Sequence, residues 1–196
     1  MTLRVQALTG AAFDAALDDV ARLRIAVFRA WPYLYDGDLA YERRYLQTYR
    51  DSPGAILAAA FDGDRVVGAA TGTPMEDHAD DFSAPLAQTG LALSDIFYCA
   101  ESVLLPDYRG QGAGHRFFDI REGHARDLQR KYVAFCGVLR PENHPLKPAS
   151  YRPLDPFWRR RGYEPLPGVL ARFSWKDIDQ SAETEKPLQF WMKELT

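Results

Sequence analysis

The stretch from residue 101 to residue 128 constrains the fold most, because it joins an apolar strand to an amphipathic helix through a glycine-rich turn. Three glycines, Gly110, Gly112 and Gly114, fall within five positions, so the backbone can curl tightly and leave its amides bare. A helix that begins near residue 113 or 114 has first N–H groups without partners inside the helix. With the positive end of the helix dipole, these groups form a pocket for phosphate oxygens. We therefore predict that the turn binds a pyrophosphate.

Two common nucleotide-binding loops do not fit this turn. A Walker loop has Lys followed by Ser or Thr after its last glycine, whereas Gly114 is followed by His115 and Arg116. A dinucleotide-binding loop that starts at Gly110 needs a glycine where His115 stands. Residue identity therefore excludes both kinds of loop.

The pattern Arg109-x-x-Gly112-x-Gly114, which follows an apolar strand and Pro106, instead resembles the acyl-CoA loop of the GNAT-type N-acyltransferase superfamily. A second segment, PFWRRRGYE at residues 156–164, is similar to the helix and glycine that follow the fifth strand in that superfamily. The two segments occur in the superfamily's order, and the resemblance covers most of the chain. It implies transfer of an acyl group, commonly acetyl, from coenzyme A to a primary amine in a ternary complex.

The resemblance also implies which residues hold the cosubstrate, acetyl-CoA or coenzyme A. In the superfamily a bulge in the fourth strand exposes backbone amides to the pantetheine and the thioester, and Leu104 and Leu105 would supply these amides here. The residues 159–161, all arginines, are either a solvated helix face or a contact with coenzyme phosphates. The full set expected to bind the coenzyme is Val103, Leu104, Leu105, Arg109, Gly110, Gln111, Gly112, Ala113, Gly114, His115, Asn143, Phe157 and Arg160.

Two residues are candidates for catalysis. Glu101 stands in an otherwise apolar row of the fourth strand, either as an edge charge in water or as a carboxylate aimed into the cleft, especially if a bulge re-aims it. An alkylamine has a pKa of about 10 and must lose a proton, so Glu101, directly or through a water, is the candidate base. Superfamily members often have a tyrosine that protonates the thiolate where this chain has Trp158, so Tyr151 or solvent would do so here.

The segment after the first helix is rich in aromatic and acidic side chains. We predict that it forms the wall of the acceptor site, although each tyrosine alone is more simply a core anchor. Its candidate residues are Trp31, Tyr33, Tyr35, Asp36 and Asp38, with the two aspartates as weaker candidates for binding the ammonium. Residues 74–94 are expected to be an irregular acidic lid that favours a cationic acceptor. The spacing of Glu76, Asp77, Asp80 and Asp81 around His78 fits no metal loop, so we expect no metal.

Apolar periodicity predicts strands at residues 2–8, 56–61, 65–73, 95–105 and 132–139, and two more near 171–175 and 188–192. The polar run SAETEK, residues 181–186, is expected to be a surface turn between the last two. The chain is thus expected to form one α/β (α+β) domain over residues 1–196. The resemblance implies a mixed sheet of about seven strands, with parallel fourth and fifth strands and about four flanking helices.

Composition narrows the partners. A net charge of −3 gives no indication of a nucleic-acid surface, and no window is apolar enough to cross a membrane. Cys99 and Cys136 fall inside predicted strands and make no disulfide framework, so we expect a cytoplasmic protein. The expected partner is a small-molecule amine, and a homodimer is compatible with the sequence. A non-catalytic acyl-CoA sensor and a protein lysine or N-terminal acetyltransferase remain as alternatives.

Overall fold

A computed structural model describes residues 3–196, apart from the side chains of residues 79–81. Its strands are β1 (Arg4–Leu8), β2 (Ile56–Asp62), β3 (Arg65–Pro74), β4 (Ile96–Leu104), β5 (Tyr132–Val138), β6 (Glu164–Lys176) and β7 (Glu183–Glu194). They form one sheet in the order β1-β2-β3-β4-β5-β7-β6. β4 and β5 pair in parallel, and the other neighbours pair antiparallel. The predicted seven-stranded mixed sheet is confirmed, and residue 2 of the predicted first strand lies outside the described residues.

Helices cover both faces of this sheet. One face packs against α1 (Gly10–Phe28), α2 (Leu39–Asp51) and α3 (Ala79–Ala87), and the other against α4 (Ala113–Asp127) and α5 (Asp155–Arg160). α1 presents its apolar positions Phe13, Val20 and Leu23 to the core at helical spacing. No helix within residues 3–196 is long and apolar enough to span a bilayer.

β4 and β5 lie side by side over only part of their length. Their parallel pairing joins residues 96–98 to residues 132–134 and then stops, although β4 runs on to Leu104 and β5 to Val138. Beyond Tyr98 the facing backbone edges of the two strands therefore border an opening between them. In α/β folds, ligands bind outside the carboxyl ends of parallel strands, where this opening lies.

Residues 75–87 are helical, in a 3₁₀ turn at Met75–His78 followed by α3, so the expectation that residues 74–94 are irregular is wrong for most of that segment. Phe82 and Leu86 of α3, four residues apart, are buried against the sheet face that also holds Tyr98. A short 3₁₀ turn before α3 buries Met75 in the same cluster. Apolar periodicity did not predict this helix because acidic residues and Pro85 interrupt its apolar pattern.

The acidic residues of this segment have separate surroundings. Asp77 accepts a hydrogen bond from the Ser52 hydroxyl, and Glu76 pairs with Arg130. The side chains of Asp80 and Asp81 lie outside the described residues. Among the described side chains, no group of three or more metal-ligating residues is placed to hold an ion.

The final hairpin is longer than predicted. β7 begins at Glu183, so four of the six residues of the expected surface turn at residues 181–186 belong to a strand. Lys186, within that run, is buried and forms an ion pair of 3.2 Å with Asp177. This polar segment can form part of a strand because the buried Lys186 is paired with the carboxylate of Asp177.

Candidate active site

The turn between β4 and α4 presents a row of bare backbone amides. α4 begins at Ala113, as predicted, and Gly112 caps it in the left-handed conformation with a φ of 81°. Gly110 has a φ of 77°, so both glycines occupy a conformation that other residues adopt only under strain. Within residues 3–196, the N–H groups of residues 110–114 contact no backbone acceptor. They can therefore bind an anion, which the helix dipole also favours.

Within the described part of the chain, the space beside this turn is open. An added Cβ at Gly110 or Gly112 would meet no atom within 4 Å, and one at Gly114 would only touch Phe157 at 3.7 Å. Packing therefore does not require Gly114, whose backbone φ is not left-handed. A glycine that packing does not require is typical of a close approach between a backbone and a ligand.

One amide of β4 points into the opening between β4 and β5. The N–H of Leu105 donates to the carbonyl of Val67 in β3, at 3.0 Å. Because successive amides along a strand alternate in direction, the N–H of Leu104 points the other way, into the opening. The prediction that Leu105 supplies a free amide is therefore wrong, since that amide is bonded within the sheet. Leu104 keeps the predicted position.

A bulge in β4 turns Glu101 towards the opening. Pairing between β3 and β4 shifts by one residue, from Ala70 opposite Ser102 to Gly72 opposite Cys99. Without this extra residue, Glu101 would face the same side of the sheet as Cys99. With it, Ala100 and Glu101 both line the cavity described below. The bulge suggested by the sequence is present, and the carboxylate is buried and aimed into the cavity.

Arg121 of α4 holds the bulge in place. Its guanidinium is 1% exposed and donates to the carbonyls of Thr71 and Glu101, each at 3.1 Å, and to the hydroxyl of Ser102 at 2.9 Å. These carbonyls flank the point where the ladder is interrupted, so Arg121 satisfies acceptors that the bulge leaves free. Sequence analysis missed this role, although an arginine one turn after Phe117 on an apolar helix face was a signal for it.

Glu101 belongs to a buried charge cluster that we call the Arg24 cluster, formed by Arg24, Glu42 and Glu101. The Arg24 guanidinium donates to Glu42 at 2.5 Å and to Glu101 at 2.6 Å. Thr71 donates to the second oxygen of Glu101 at 2.5 Å. Burial lowers the pKa of Arg24, but the two carboxylates and Tyr45 outweigh burial and raise it well above its usual value. The cluster therefore holds one positive charge and two carboxylates.

A cavity of about 110 Å³ opens beside this cluster. Of the residues that the structure describes, Arg24 and Glu101 are the charged ones that line it, and aromatic rings form most of its wall. The Arg24 guanidinium lies over the ring of Tyr45, 4.3 Å from its centroid. Burial raises the pKa of Tyr45 to about 12, so its hydroxyl is neutral near pH 7. The aromatic lining comprises Phe28, Tyr33, Tyr35, Tyr41, Tyr45, Tyr98, Phe173 and Trp175.

The two cysteines are buried and reduced. Burial raises the pKa of Cys99 to about 11 and raises that of Cys136, which borders the cavity, well above its usual value. Both side chains are therefore thiols at neutral pH, and a covalent relay through either one lacks a thiolate.

The predicted acceptor wall divides into two groups. Tyr33 and Tyr35 line the cavity, whereas Trp31 packs edge-on against Tyr151, with 6.0 Å between the ring centroids. Asp36 forms ion pairs with Arg29 and Lys176, and Asp38 caps α2 by accepting from the N–H of Tyr41. Neither aspartate lines the cavity. Their positions therefore do not support the ammonium-binding role predicted for them.

Hydrogen bonds fix the segment that carries Tyr33 to the last residues of two strands and the residues after them. Arg140 donates to the carbonyls of Pro32 and Tyr33 and forms an ion pair of 2.6 Å with Asp177. The indole N–H of Trp175 also donates to the carbonyl of Tyr33, at 3.0 Å. These bonds join the segment between α1 and α2 to the ends of β5 and β6.

The position of the superfamily's tyrosine is filled by an indole. Trp158 packs against Phe135 and Trp191, with ring centroids 4.9 and 5.1 Å away, and its ring fills the space beside Gly137. Tyr151 is half-buried in the segment between β5 and α5, and burial raises its pKa. Tyr151 is not among the residues that line the cavity. To protonate the departing thiolate, it would therefore need an intervening group or water to carry the proton.

The three consecutive arginines have different surroundings. Arg159 pairs with Glu164, and Arg161 binds Asp119 at 2.7 Å and Glu122 at 3.1 Å. Arg160 is exposed and has no ion pair among the described residues. Arg160 is therefore the member of the triplet that is free to contact a phosphate.

The remaining predicted coenzyme contacts differ in position. Phe157 packs against His115 at the start of α4, with ring centroids 4.9 Å apart. The Arg109 guanidinium donates to the carbonyl of Leu104 at 3.3 Å, which holds the turn against the end of β4. Val103 is buried, and Asn143 is exposed in the segment after β5.

Comparison with protein families gives one match. A model described as the acetyltransferase (GNAT) family matches residues 20–149, which include the Arg24 cluster, β4, the glycine turn and α4. No curated protein sequence matches significantly.

Solved structures share the fold at low sequence identity. A polyamine N-acetyltransferase from Drosophila melanogaster, which catalyses the formation of N-acetylagmatine, aligns with a TM-score of 0.63 and 14% identity over 99% of this chain and 100% of that chain. Ribosomal-protein-alanine N-acetyltransferase from Brucella melitensis gives 0.61 and 15% identity over 98% and 99%. The yncA protein of Salmonella typhimurium, solved with its cofactor acetyl-CoA, gives 0.59 and 11% identity over 99% and 94%. At these identities, the similarity shows the fold alone.

Proposed function

We propose that this chain, which belongs to the GNAT acetyltransferase family, transfers the acetyl group of acetyl-CoA to the primary amine of a small molecule in a ternary complex. The observation that carries the proposal is the row of N–H groups at residues 110–114, which contact no backbone acceptor within the described part of the chain. They lie at the start of α4, which is the first α-helix after the strand whose free edge borders the opening. A pyrophosphate bound there leaves the rest of the cosubstrate free to enter the opening.

The chain supplies three functions to this reaction. The amides of residues 110–114 bind the pyrophosphate, and Arg160 contacts a phosphate from the side. The N–H of Leu104 donates to the thioester oxygen, on which negative charge develops during attack. One donor of this kind contributes roughly 2.7–4 kcal/mol to catalysis. The cavity beside Glu101 holds the amine, and fixing both reactants removes much of the entropic barrier.

The transfer step balances in atoms and protons. The lone pair of the amine nitrogen attacks the thioester carbon, the N–C bond forms and the C–S bond breaks. Glu101 first accepts one proton from the bound ammonium, directly or through a water, while Arg24 and Thr71 hold its carboxylate in position. The nitrogen loses its second proton to water as the amide forms. The departing thiolate takes a proton from Tyr151 or from water, and a thiol with a pKa of about 8.5 leaves readily in either case.

The cavity favours a small acceptor over a protein. Its volume of about 110 Å³ suits one small group, and the bonds from Arg140 and Trp175 fix its wall to the sheet. A lysine or peptide terminus would have to bring a polypeptide past this wall. The replacement of the superfamily's tyrosine by Trp158 is the observation that favours the second candidate, a domain that binds acyl-CoA without transfer.

A thiol-release assay with acetyl-CoA and a panel of small amines tests the proposal. We expect free coenzyme A to appear in proportion to acetylated amine for at least one member of the panel. Binding of acetyl-CoA without release for any amine would favour the sensor. Absence of acetyl-CoA binding, measured by calorimetry, would refute the proposed function and the sensor together.

A further inference from the structure

The strongest feature outside the coenzyme turn is the net charge of the Arg24 cluster. One guanidinium lies between two carboxylates, at 2.5 Å from Glu42 and 2.6 Å from Glu101, and all three residues are at most 9% exposed. A single arginine neutralises one carboxylate, so the cluster has one excess negative charge. Within the described residues, no further cation forms an ion pair with either carboxylate. The Tyr35 hydroxyl also hydrogen-bonds Glu42, but this neutral donor leaves the excess charge without a balancing cation, and the cavity is open beside the cluster.

Aromatic rings surround the place where that partner would lie. The rings of Tyr33 and Phe28 are tilted against each other with 4.3 Å between their centroids, and Tyr33 also packs against Trp175 at 5.9 Å. The faces and edges of such rings attract a cation and bury an apolar body. An apolar cavity of roughly 150 Å³ takes up benzene, so a cavity of about 110 Å³ limits the enclosed body to no more than about one ring or a chain of similar bulk.

We propose that the amine acceptor is a monocation with an apolar body of about one aromatic ring and without a carboxylate, as in 2-phenylethylamine. This inference rests on the proposed function and specifies its substrate class. The excess charge of the Arg24 cluster attracts one ammonium, and Glu101 lies where it can then accept a proton. The aromatic wall buries the body.

The same features disfavour other classes of amine. A polyamine has a second ammonium, but among the described side chains Glu101 is the one carboxylate that lines the cavity, and the neighbouring Arg24 repels a further cation. An amino sugar would bury hydroxyl groups against aromatic rings without enough acceptors or donors. An amino acid would place its carboxylate beside a cluster that is already negative.

The experiment compares three acceptors with acetyl-CoA as donor: 2-phenylethylamine, spermidine and L-phenylalanine. We expect kcat/KM for 2-phenylethylamine to exceed each of the others by at least about tenfold. Equal or better transfer to spermidine or L-phenylalanine would overturn the inference while leaving the proposed function intact. Failure of all amines, with or without acetyl-CoA binding, would instead count against the proposed function.

A charge variant tests the reason for the preference. Glu42→Gln keeps the size of the side chain and makes the cluster neutral, although Glu42 does not line the cavity. We expect KM for 2-phenylethylamine to rise about tenfold, kcat to change less than about threefold, and the preference over L-phenylalanine to narrow. Glu185→Gln, which breaks the exposed pair with Arg172, is the matched control and should change none of these values. An unchanged KM in folded Glu42→Gln would overturn the charge argument.

A size variant covers the case in which Glu42→Gln does not fold. Phe28 is half-buried and lines the cavity from α1, so Phe28→Ala enlarges the space for the body. We expect the preference to move from 2-phenylethylamine towards 2-(1-naphthyl)ethylamine by about tenfold. An unchanged ratio between these two amines would show that this cavity does not hold the acceptor.

Discussion

Replacing Gly112 by alanine separates the binding role of the glycine turn from its folding role. Gly112 has a φ of 81° and open space around its Cβ position, so the variant introduces backbone strain without a clash. Gly63, in the turn between β2 and β3, has a φ of 59° and the same open space. Each substitution should cost about 1–2 kcal/mol of stability, because an L-residue is strained in the left-handed region. For a chain of this size, this is a fall of about 2–8 °C in Tm.

Only Gly112→Ala should weaken the binding of acetyl-CoA. Strain relief at Gly112 turns at least one N–H of the turn away, and a hydrogen bond to a charged group is worth about 1.5–3 kcal/mol. This loss raises Kd about 10- to 150-fold. At 100 times the wild-type Kd, acetyl-CoA should stabilise the wild type and Gly63→Ala by about 2.7 kcal/mol and Gly112→Ala by about 1.4 kcal/mol or less. Calorimetry that gives Gly112→Ala and Gly63→Ala the same Kd would refute the assignment of the turn.

Three further predictions concern the base, the coenzyme and stability. Glu101→Gln should lower kcat about 10²- to 10⁴-fold near neutral pH, with a smaller loss as the pH approaches the amine's pKa of about 10; a constant ratio to wild type across that pH profile would exclude Glu101 as the base. Arg160→Ala should raise the Kd of acetyl-CoA severalfold at low salt but not in 0.5–1 M salt, whereas Arg159→Ala, which loses the pair with Glu164, should not; equal titrations would contradict the phosphate contact. Burial alone would raise the pKa of Asp177, but the bonds from Arg140 and Lys186 outweigh it and lower that pKa, so the stabilisation is present above about pH 4 and is lost as the pH falls through the folded-state pKa. Asp177→Asn should therefore lower Tm at pH 7 by more than at pH 3, and a Tm difference that does not depend on pH would contradict this.

The sequence predicted the elements whose chemistry is local. The glycine turn and the start of α4 follow from glycine content and helix termination, and both are where they were expected. The bulge beside Glu101 was expected from the family resemblance, whereas the carboxylate in an apolar row was compatible with an edge charge in water or with a group aimed into the cleft. The structure has the bulge, and Glu101 lines the cavity.

The features that sequence analysis missed depend on contacts between distant residues. Arg24 and Glu101 are 77 positions apart in the sequence, and they pair because α1 packs across β4 in the folded chain. A signal was nevertheless present, since Arg24 follows Val20 by four residues on the buried stripe of α1 and a buried arginine needs carboxylate partners. The helix at residues 79–87 was missed because its apolar pattern is short: Phe82 and Leu86 are the buried residues among those whose side chains are described, and two positions are too few to give a clear period.

Backbone amide chemical shifts in ¹⁵N-labelled protein, titrated with acetyl-CoA, test the central claim most directly. The account predicts that the N–H resonances of Gly110, Gln111, Gly112 and Gly114 move downfield with the same saturation curve, because each acquires a phosphate acceptor. The N–H of Gly63 should not move. If acetyl-CoA saturates the protein while the resonances of the glycine turn stay in place, its pyrophosphate is bound elsewhere and the account is contradicted.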